Sequence, residues 1–224
     1  MTAHALSDRK VPYRSARQIK SIVQDLLARC GMQGLLKIDI VRLIENYLRP
    51  SLEGGLKIKF YNQAGGQLPA YVSYDPLTLN VDREIWTDAK HGEPGARYIL
   101  AHEVGHIVMH KHNDLGYSFG DGSQLKAPPE EERAEWQANV FAHFLMVTDN
   151  ALVEDMPLLQ KAVDISAPIW VVASVRQYDA ARDIFTFATA PDYGGDPCGE
   201  CGNFTLSRRG VALNCETCGW TVGS

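Results

Sequence analysis

The stretch AHEVGHIVMHKH, residues 101–112, holds four of the seven histidines of this 224-residue chain. Pro94, which suits the first turn of a helix, precedes apolar residues at helical spacing, so we predict a helix from about residue 94 to residue 108. His102 and His106 are four residues apart and project from one face of such a helix. Two imidazoles in this arrangement can bind one zinc ion. The same spacing also occurs by accident on ordinary helices, in surface or core positions.

Glu103 lies between the two histidines, about 100° around the helix from His102. There its carboxylate can reach a water molecule beside the metal without itself binding the metal. This is the geometry of a general base in metal-assisted peptide hydrolysis. Glu103 is therefore the predicted catalytic residue.

A catalytic zinc ion usually takes three protein ligands and leaves one position open, so a third ligand is needed. His112 has the offset from His106 that metzincins use, but Met109 stands where those enzymes need a glycine to turn the chain. His110 lies on the correct face but one turn too far along the axis. We expect both residues to face solvent or to support the ligands from behind.

The segment APPEEERAEWQANVFAHFLM, residues 127–146, predicts a further helix and offers an acidic third ligand. Glu135 and Asn139 are four residues apart, so one can bind the metal while the other hydrogen-bonds a ligand histidine and fixes its tautomer. Glu131 lies on the same face one turn earlier and competes for the role. We favour Glu135 because Asn139 accompanies it.

Other elements are predicted upstream and downstream of these two helices. Two amphipathic helices begin after Ser15 and Asp39 as N-caps. Three β-rich runs follow, namely LKIKFYN at 56–62, PAYVSYD at 69–75 and LTLNVD at 77–82. Asp75-Pro76 is predicted to turn the last two runs into a hairpin, and we expect a small antiparallel sheet. Further helical turns are predicted at 150–161 and at 166–178, the second beginning with Ser166 and Pro168.

The C-terminal segment CGECGNFTLSRRGVALNCETCGW, residues 198–220, contains two C-x-x-C-G pairs. The four cysteines of these pairs are Cys198, Cys201, Cys215 and Cys218. Four thiolates at this spacing predict a structural zinc site with no open position, and FTLSRR and VALN predict a β-hairpin around Gly210 that completes a zinc ribbon. Redox dithiols or disulfides are the alternative, but the βαβ context of thioredoxin-like chemistry is missing. Cys30 is expected to be a buried apolar residue.

Composition narrows the class of protein further. A net charge of −5 argues against broad electrostatic capture of nucleic acid. No window approaches the run of about 18 apolar residues that a membrane span requires, and MTAHALSDRKVPYRSARQ has no apolar stretch that would serve as a signal peptide. We therefore expect a cytoplasmic protein without membrane contact, whose cysteines stay reduced.

In combination, the motifs resemble the ImmA/IrrE family of metallopeptidases. AHEVGHIVMH followed by EWQANVFAHFLM, after two helices and a small sheet, is similar to that family's H-E-x-G-H and E-x-x-A-N-x-F-A pattern over roughly residues 15–160. The resemblance implies zinc on His102, His106 and Glu135, with Glu103 as catalytic acid and base.

The resemblance also implies a partner. Members of the family typically cleave helix-turn-helix repressors, so a repressor of this kind is the expected protein substrate. Two positions depart from the family pattern, because Val147 stands where a proline is usual and His143 where a small residue is usual. Both positions are expected to shape the wall of the cleft.

Together these features predict an α+β fold in two domains. Residues 1–189 are expected to form a mainly helical, zincin-like metallopeptidase domain with a small antiparallel sheet. Residues 190–224 are expected to form the four-cysteine zinc ribbon, because TAPDYGGDP at 189–197 has the composition of a linker. The predicted function is zinc-dependent cleavage of a specific protein, with one catalytic and one structural zinc ion per chain.

Two other classes of function fit parts of this pattern. A weakly catalytic or non-catalytic adaptor would bind a protein or nucleic acid through the ribbon, where Arg208 and Arg209 lie at the hairpin tip, but the intact Glu103 argues against it. A zinc-dependent hydrolase of a small molecule would use the same chemistry at the metal.

Within the peptidase hypothesis, AYVSYD is predicted to bind the substrate as an added edge strand. The residue that stabilises the oxyanion stays open among His110, His143, Tyr71 and Tyr98.

Overall fold

The computed structural model describes residues 10–52, 55–62, 68–110, 129–152, 157–175, 178, 206–209, 212–215 and 221–222. The chain divides into two compact units, Met1–Val175 and Arg176–Ser224. The first unit contains helices and a three-stranded sheet, and the second contains a separate three-stranded sheet. The predicted domain boundary at residues 189 and 190 lies outside the described residues.

The first helix, α1, spans Ala16–Arg29 and begins at its predicted cap. Ser15 and Gln18 form a capping box, in which each side chain accepts a hydrogen bond from the backbone N–H of the other residue. One face of α1 is buried through Ile19, Val23 and Leu27, as the helical spacing predicts. Cys30, directly after α1, is buried and has no disulfide partner among the described residues.

The second predicted helix is present in three consecutive segments. Asp39 caps it by accepting a hydrogen bond from the Arg42 N–H at 3.0 Å. The segments are α2 (Ile40–Leu43), a π-helical turn (Ile44–Leu48) and α3 (Arg49–Ser51).

The three predicted strands are present as β1 (Lys57–Tyr61), β2 (Ala70–Tyr74) and β3 (Leu77–Asp82). The cis Asp75–Pro76 turn joins β2 and β3 as the predicted antiparallel hairpin. The prediction of a purely antiparallel sheet is wrong, because β1 pairs with β3 in parallel and the strand order is β1-β3-β2. Strand β3 is the most fully buried of the three and takes the centre, where both of its edges are paired, so it separates β1 from β2.

Helix α4, Arg83–His91, follows β3 directly and was absent from the predicted elements. Asp82 ends β3 and also caps α4 by accepting from the Glu84 N–H at 2.8 Å. Gly92 ends α4 with φ of 88°, a left-handed conformation that favours glycine. The sequence contains both cap residues, Asp82 and Gly92. The alternating pattern of β3 continues to Asp82, however, so the change from strand spacing to helix spacing is not apparent there.

The core of the first unit lies between α5 (Pro94–His110) and α6 (Ala134–Met146), which pack against each other. Fully buried apolar side chains fill their contact: Leu100, Val104, Ile107, Ala138, Phe141 and Leu145. The helix predicted within residues 127–146 begins at Ala134, and Glu130–Glu132 form a 3-10 turn ahead of it. Helix α1 packs on α6, which carries Glu135, and β2 lies against α5, which carries the paired histidines. Each of the two helices is therefore supported by a further element.

Three short helices follow α6, namely α7 (Asp149–Leu152), α8 (Leu158–Asp164) and α9 (Ile169–Val175). Within the described part of the chain, no single helix is long and apolar enough to cross a membrane. By length and composition alone, one helix pair passes the same test, α8 with α9, which is bent by 112°.

The second unit contains β4 (Leu206–Arg209), β5 (Ala212–Cys215) and β6 (Thr221–Val222), in the order β4-β5-β6. Both pairings are antiparallel, with Leu206 opposite Cys215. The predicted hairpin on either side of Gly210 is therefore present, and β6 extends it.

Candidate metal centre

Helices α5 and α6 bring together two histidines and one glutamate. His102 Nε2 lies 3.0 Å from His106 Nε2, and Glu135 Oε2 and Oε1 lie 3.2 Å and 3.4 Å from these two nitrogens respectively. The ligand atoms of a tetrahedral zinc ion bound at about 2.0–2.1 Å are about 3.3 Å apart. The separations are close to that spacing, although the two to Glu135 involve different oxygens, and one ligand atom from each residue lies within 4.8 Å of the others, so the donor set fits a zinc ion.

Among the described residues, these three form the group of side chains whose ligand atoms lie close enough to hold one metal ion. Glu131, the alternative third ligand, belongs to the 3-10 turn before α6 and not to this group. The choice of Glu135 follows from the helix geometry, since it lies one turn before Asn139 on the face of α6 that meets α5.

Asn139 orients the ring of His102. The Asn139 Oδ1 atom lies 2.8 Å from His102 Nδ1 and also accepts a hydrogen bond from the Tyr98 hydroxyl at 2.7 Å. An amide oxygen can only accept, so the Nδ1 atom of His102 carries a proton, and in the neutral ring the Nε2 atom has a free lone pair. The lone pair is therefore on the nitrogen that faces the candidate metal position.

His110 lies behind His106 and is only 5% exposed, so it does not face solvent. Its Nδ1 atom is 3.2 Å from His106 Nδ1, and its Nε2 atom is 3.1 Å from Gln137 Oε1. Burial lowers the pKa of His110 to about 4, which keeps the imidazole neutral. His110 thus contacts a candidate ligand and does not join the ligand group.

Glu103, the predicted catalytic residue, is 7% exposed and lies at the wall between α5 and the sheet. Burial raises the pKa of Glu103, and the nearby His102 and His106 oppose that shift. The backbone N–H of Val72 on β2 donates a hydrogen bond to its carboxylate. A carboxyl group held at a raised pKa beside a metal position is suited to accept and return a proton.

The charges of the three candidate ligands are strongly coupled. Hydrogen bonds from His102 and His106 hold the pKa of Glu135 well below its usual range. Burial on its own would lower the pKa of His102, but the hydrogen bond to Glu135 and the charges of Glu103 and Glu135 outweigh it and raise that pKa. The centre therefore carries a stabilised carboxylate that attracts a cation, whether a proton or a metal ion.

A cavity of about 330 Å³ opens onto this centre. Strand β2 lines one side of it through Ala70, Tyr71, Val72 and Tyr74. The N-terminal segment lines it as well through Lys10 and Val11, which pair with the backbone at Arg133 and Glu132. A cavity of this size accommodates a short stretch of extended peptide between a strand edge and the metal centre.

The four candidates for oxyanion stabilisation lie in different places. Tyr71, Tyr98 and His110 line the cavity, and the Tyr98 hydroxyl is engaged by Asn139. His143 is buried beside Tyr98 and Trp170, with ring centroids 5.9 Å and 5.6 Å away. Burial lowers the pKa of His143 to about 4, and His143 is not among the cavity-lining residues.

The remaining predicted site residues lie mostly outside the described residues. These are His112, Cys198, Cys201 and Cys218. Cys215 is the last residue of β5. The four-cysteine zinc site stays a prediction.

Sequence reasoning missed the contribution of Gln137, Tyr98 and Val72 to this centre. Gln137 has no exposed surface, although it is polar. That position, a buried amide two residues after the candidate ligand Glu135, was the available signal. The contacts of Tyr98 and Val72 depend on how the helices and sheet pack, which no local pattern reveals.

A helix that carries paired histidines, a glutamate from the next helix and a sheet edge beside a buried carboxyl group define a metallopeptidase-type domain. Residues 59–166, just under half of the chain, match the family model of peptidase M78, the IrrE N-terminal-like domain. The chain thus contains an IrrE N-terminal-like domain, which supports its resemblance to the ImmA/IrrE family of metallopeptidases.

A local similarity links the chain to a much larger protein. The vitamin B12-dependent ribonucleotide reductase of Bradyrhizobium diazoefficiens is 56% identical to it over 36 residues, which are 16% of this chain and 3% of that protein. The chain thus spans only a small fraction of that relative's length. The shared segment is too short to carry the activity of the larger protein across.

Proposed function

We propose that this protein is a zinc-dependent endopeptidase that cleaves a specific protein, a helix-turn-helix transcriptional repressor. The observation that carries the proposal is the combination of a three-residue donor set with a buried Glu103 beside it, both facing one cavity. His102, His106 and Glu135 would hold the zinc ion. When bound, zinc supplies a Lewis acid that polarises a peptide carbonyl and makes water more acidic.

Glu103 is the proton carrier in this proposal. Its carboxylate takes a proton from the attacking water and delivers it to the nitrogen of the leaving amine, so one residue serves as base and then as acid. The hydrogen bond from Val72 fixes the carboxylate relative to β2. Burial favours the protonated form, which helps Glu103 to retain the proton until the amine departs.

The edge of β2 is the proposed binding surface for the substrate chain. In an antiparallel pair, every second residue directs both its N–H and its C=O away from the partner strand. Because the Val72 N–H points to Glu103 and not to β3, residues 70, 72 and 74 direct their backbone groups toward the cavity. An extended peptide that pairs with this edge passes beside Glu103 and the metal position.

Backbone pairing gives affinity without much side-chain selection, so recognition of one protein needs a second contact. We propose that the C-terminal unit is a zinc ribbon that supplies it. The supporting pattern is that one C-x-x-C pair precedes β4, while the other begins at the end of β5 and precedes β6. Binding through such a module raises the local concentration of the substrate without altering the catalytic groups.

The central test uses the full chain loaded with zinc and a candidate helix-turn-helix repressor. Wild-type protein is expected to cut the repressor at a defined bond, seen as two new fragments by mass spectrometry. Glu103→Gln keeps the shape of the side chain but accepts no proton, so it should retain zinc and lose cleavage. Equal cleavage by Glu103→Gln and wild type would overturn the mechanism. Intact binding without cleavage by either protein would favour an adaptor.

The docking role is tested by removing residues 195–224. Zinc should remain in the first site, and an unstructured peptide should still be cut, while cleavage of the intact repressor falls. A truncated protein that is folded and equally active on the intact repressor would eliminate docking. A truncated protein that unfolds would indicate a stabilising role for the C-terminal unit instead.

A further inference from the structure

We propose that His110 and Gln137 are positioning residues that fix the tautomer of His106, so that its Nε2 lone pair faces the metal position. The inference rests on the proposed metal centre but not on hydrolysis. It assigns a role to two buried polar side chains that neither the ligand group nor the proton-transfer step uses.

The chain of reasoning starts at Gln137, whose amide orientation is set by its surroundings. Its nitrogen donates to the carbonyl oxygens of Pro12 at 2.8 Å and Glu131 at 2.6 Å. Carbonyl oxygens only accept, so the amide nitrogen must face them and the amide oxygen must face the other way. Arg14 Nη1 donates to that oxygen at 3.2 Å, which agrees with the same orientation.

The orientation of Gln137 in turn fixes His110. His110 Nε2 lies 3.1 Å from Gln137 Oε1 and must therefore carry a proton to donate. His110 is 5% exposed, and a second proton on the ring would bury a positive charge. The ring is thus neutral with a lone pair on Nδ1.

That lone pair fixes His106. His110 Nδ1 is 3.2 Å from His106 Nδ1, and since His110 can only accept at this atom, His106 Nδ1 must donate. A neutral imidazole protonated at Nδ1 has its lone pair at Nε2. The Nε2 atom of His106 is the one that lies 3.0 Å from His102 Nε2 and 3.4 Å from Glu135 Oε1.

The hydrogen bonds from Gln137 through His110 to His106 also connect His106 to the N-terminal part of the described chain. Gln137 is held by the segment from Pro12 to Arg14, whose backbone also pairs with the turn before α6 through the Arg14 N–H and the Glu131 carbonyl at 3.1 Å. The segment from Pro12 to Arg14 therefore supports His106 through two side chains, Gln137 and His110. His102 is supported differently, by Asn139 and Tyr98 on the two helices themselves.

The test measures zinc affinity by competition with a chelator, without substrate, for a series of full-length variants. His110→Phe keeps the ring but removes the acceptor, and zinc binding at the first site should weaken at least about tenfold. His110→Gln restores an amide that can both accept and donate, so its affinity should lie between those of wild type and His110→Phe. Thr148→Val, which removes a buried hydroxyl that bonds the Leu35 carbonyl away from the metal centre, should leave the affinity unchanged.

A spectroscopic measurement separates positioning from simple support of the fold. In ¹⁵N-labelled zinc-loaded protein, long-range proton–nitrogen spectra should show His110 protonated at Nε2 and unprotonated at Nδ1. Protonation of His110 at Nδ1, or unchanged zinc affinity in folded His110→Phe, would overturn the proposal. If His110→Phe fails to fold, the wild-type spectrum still tests the proposal, because it shows which nitrogen of His110 is protonated. Absence of zinc from the first site of the wild type would instead refute the proposed function.

Discussion

The α-carbon of Ala138 on α6 lies 3.1 Å from the point where a Cβ atom would stand on Gly105 of α5. The Ala138 carbonyl oxygen and the Phe141 Cβ lie 3.2 Å from the same point. Two of these three contacts are backbone atoms, and all belong to one helix, so α6 would have to move as a unit to admit a side chain. The glycine of the H-E-V-G-H stretch thus allows the close helix crossing that brings the candidate ligands together.

Gly105→Ala is therefore expected to destabilise the protein. Overpacking a tight contact costs about 1–3 kcal/mol, whereas alanine gains about 1 kcal/mol in helix propensity, so the net loss should be up to about 2 kcal/mol. Zinc affinity at the first site should fall as well, because displacement of α6 carries Glu135 away from the histidines. Denaturant unfolding and chelator competition measure the two effects.

Gly95→Ala on the same helix is the matched control. A Cβ at Gly95 would meet only the carboxylate end of the Glu93 side chain, at 3.3 Å, which accepts from the Gly95 and Ala96 N–H groups but can shift more readily than the backbone of a packed helix. Stability should stay level or rise slightly. Equal destabilisation of both variants would show that loss of glycine itself, and not the crossing with α6, matters at position 105.

Most of the helices, though not α4, could be predicted from the sequence because their signals are local. Ser15, Asp39 and Pro94 mark helix starts, and the four-residue spacing of the paired histidines fixes their common face. The spacing of Glu135 and Asn139 likewise anticipated which residues of α6 face α5.

What could not be predicted depends on contacts between distant segments. The parallel pairing of β1 with β3 follows from β3 taking the buried centre, which strand patterns do not encode. The role of Gln137 depends on Pro12, 125 residues away in the chain. His110 was placed on the correct face, but only the packed structure distinguishes a buried contact to His106 from an exposed side chain.

Zinc affinity at the first site should depend on pH in a definite direction. The pKa of His102 is raised above its usual 6.5, so at lower pH zinc must displace a proton from the ring. Above the raised pKa, His102 is neutral and binds without that cost. The apparent affinity should therefore fall as pH falls through this pKa, by about tenfold per pH unit for one proton. Chelator competition between about pH 8 and pH 5.5 measures the slope, and a flat profile would contradict the coupling to Glu135.

Arg97 is predicted to be a major contributor to stability. It is 2% exposed, and its guanidinium donates to the carbonyl oxygens of Ile38 at 2.8 Å, Ile165 at 2.5 Å and Ser166. Arg97→Met leaves these acceptors without their donor and should cost about 3 kcal/mol. Lysine cannot reproduce the planar fork, so Arg97→Lys should not restore stability.

Urea unfolding of zinc-loaded protein measures the effect of the Arg97 variants. Lys37→Met is the control, since exposed Lys37 donates to the Ser166 hydroxyl at 2.6 Å in the same region. Exposed polar contacts contribute little, so this variant should lose less than about 1 kcal/mol. A loss as large as that of Arg97→Met would mean that the turn at Ser166, and not the buried guanidinium, governs stability.

The last prediction concerns the number of zinc ions and how firmly each is held. The full chain should bind two, and the first site should release its ion to a chelator sooner, because three ligands and an open position face a cavity and Glu135 is 38% exposed. Four thiolates leave no open position, so the cysteine site should release zinc more slowly. His102→Ala should remove only the fast-released ion, and Cys198→Ser should affect only the slow one. One equivalent of zinc in the wild type, purified under conditions that preserve zinc, would contradict the two-site prediction. In that case, the variant that still binds one equivalent would carry its substitution in the site that does not bind zinc.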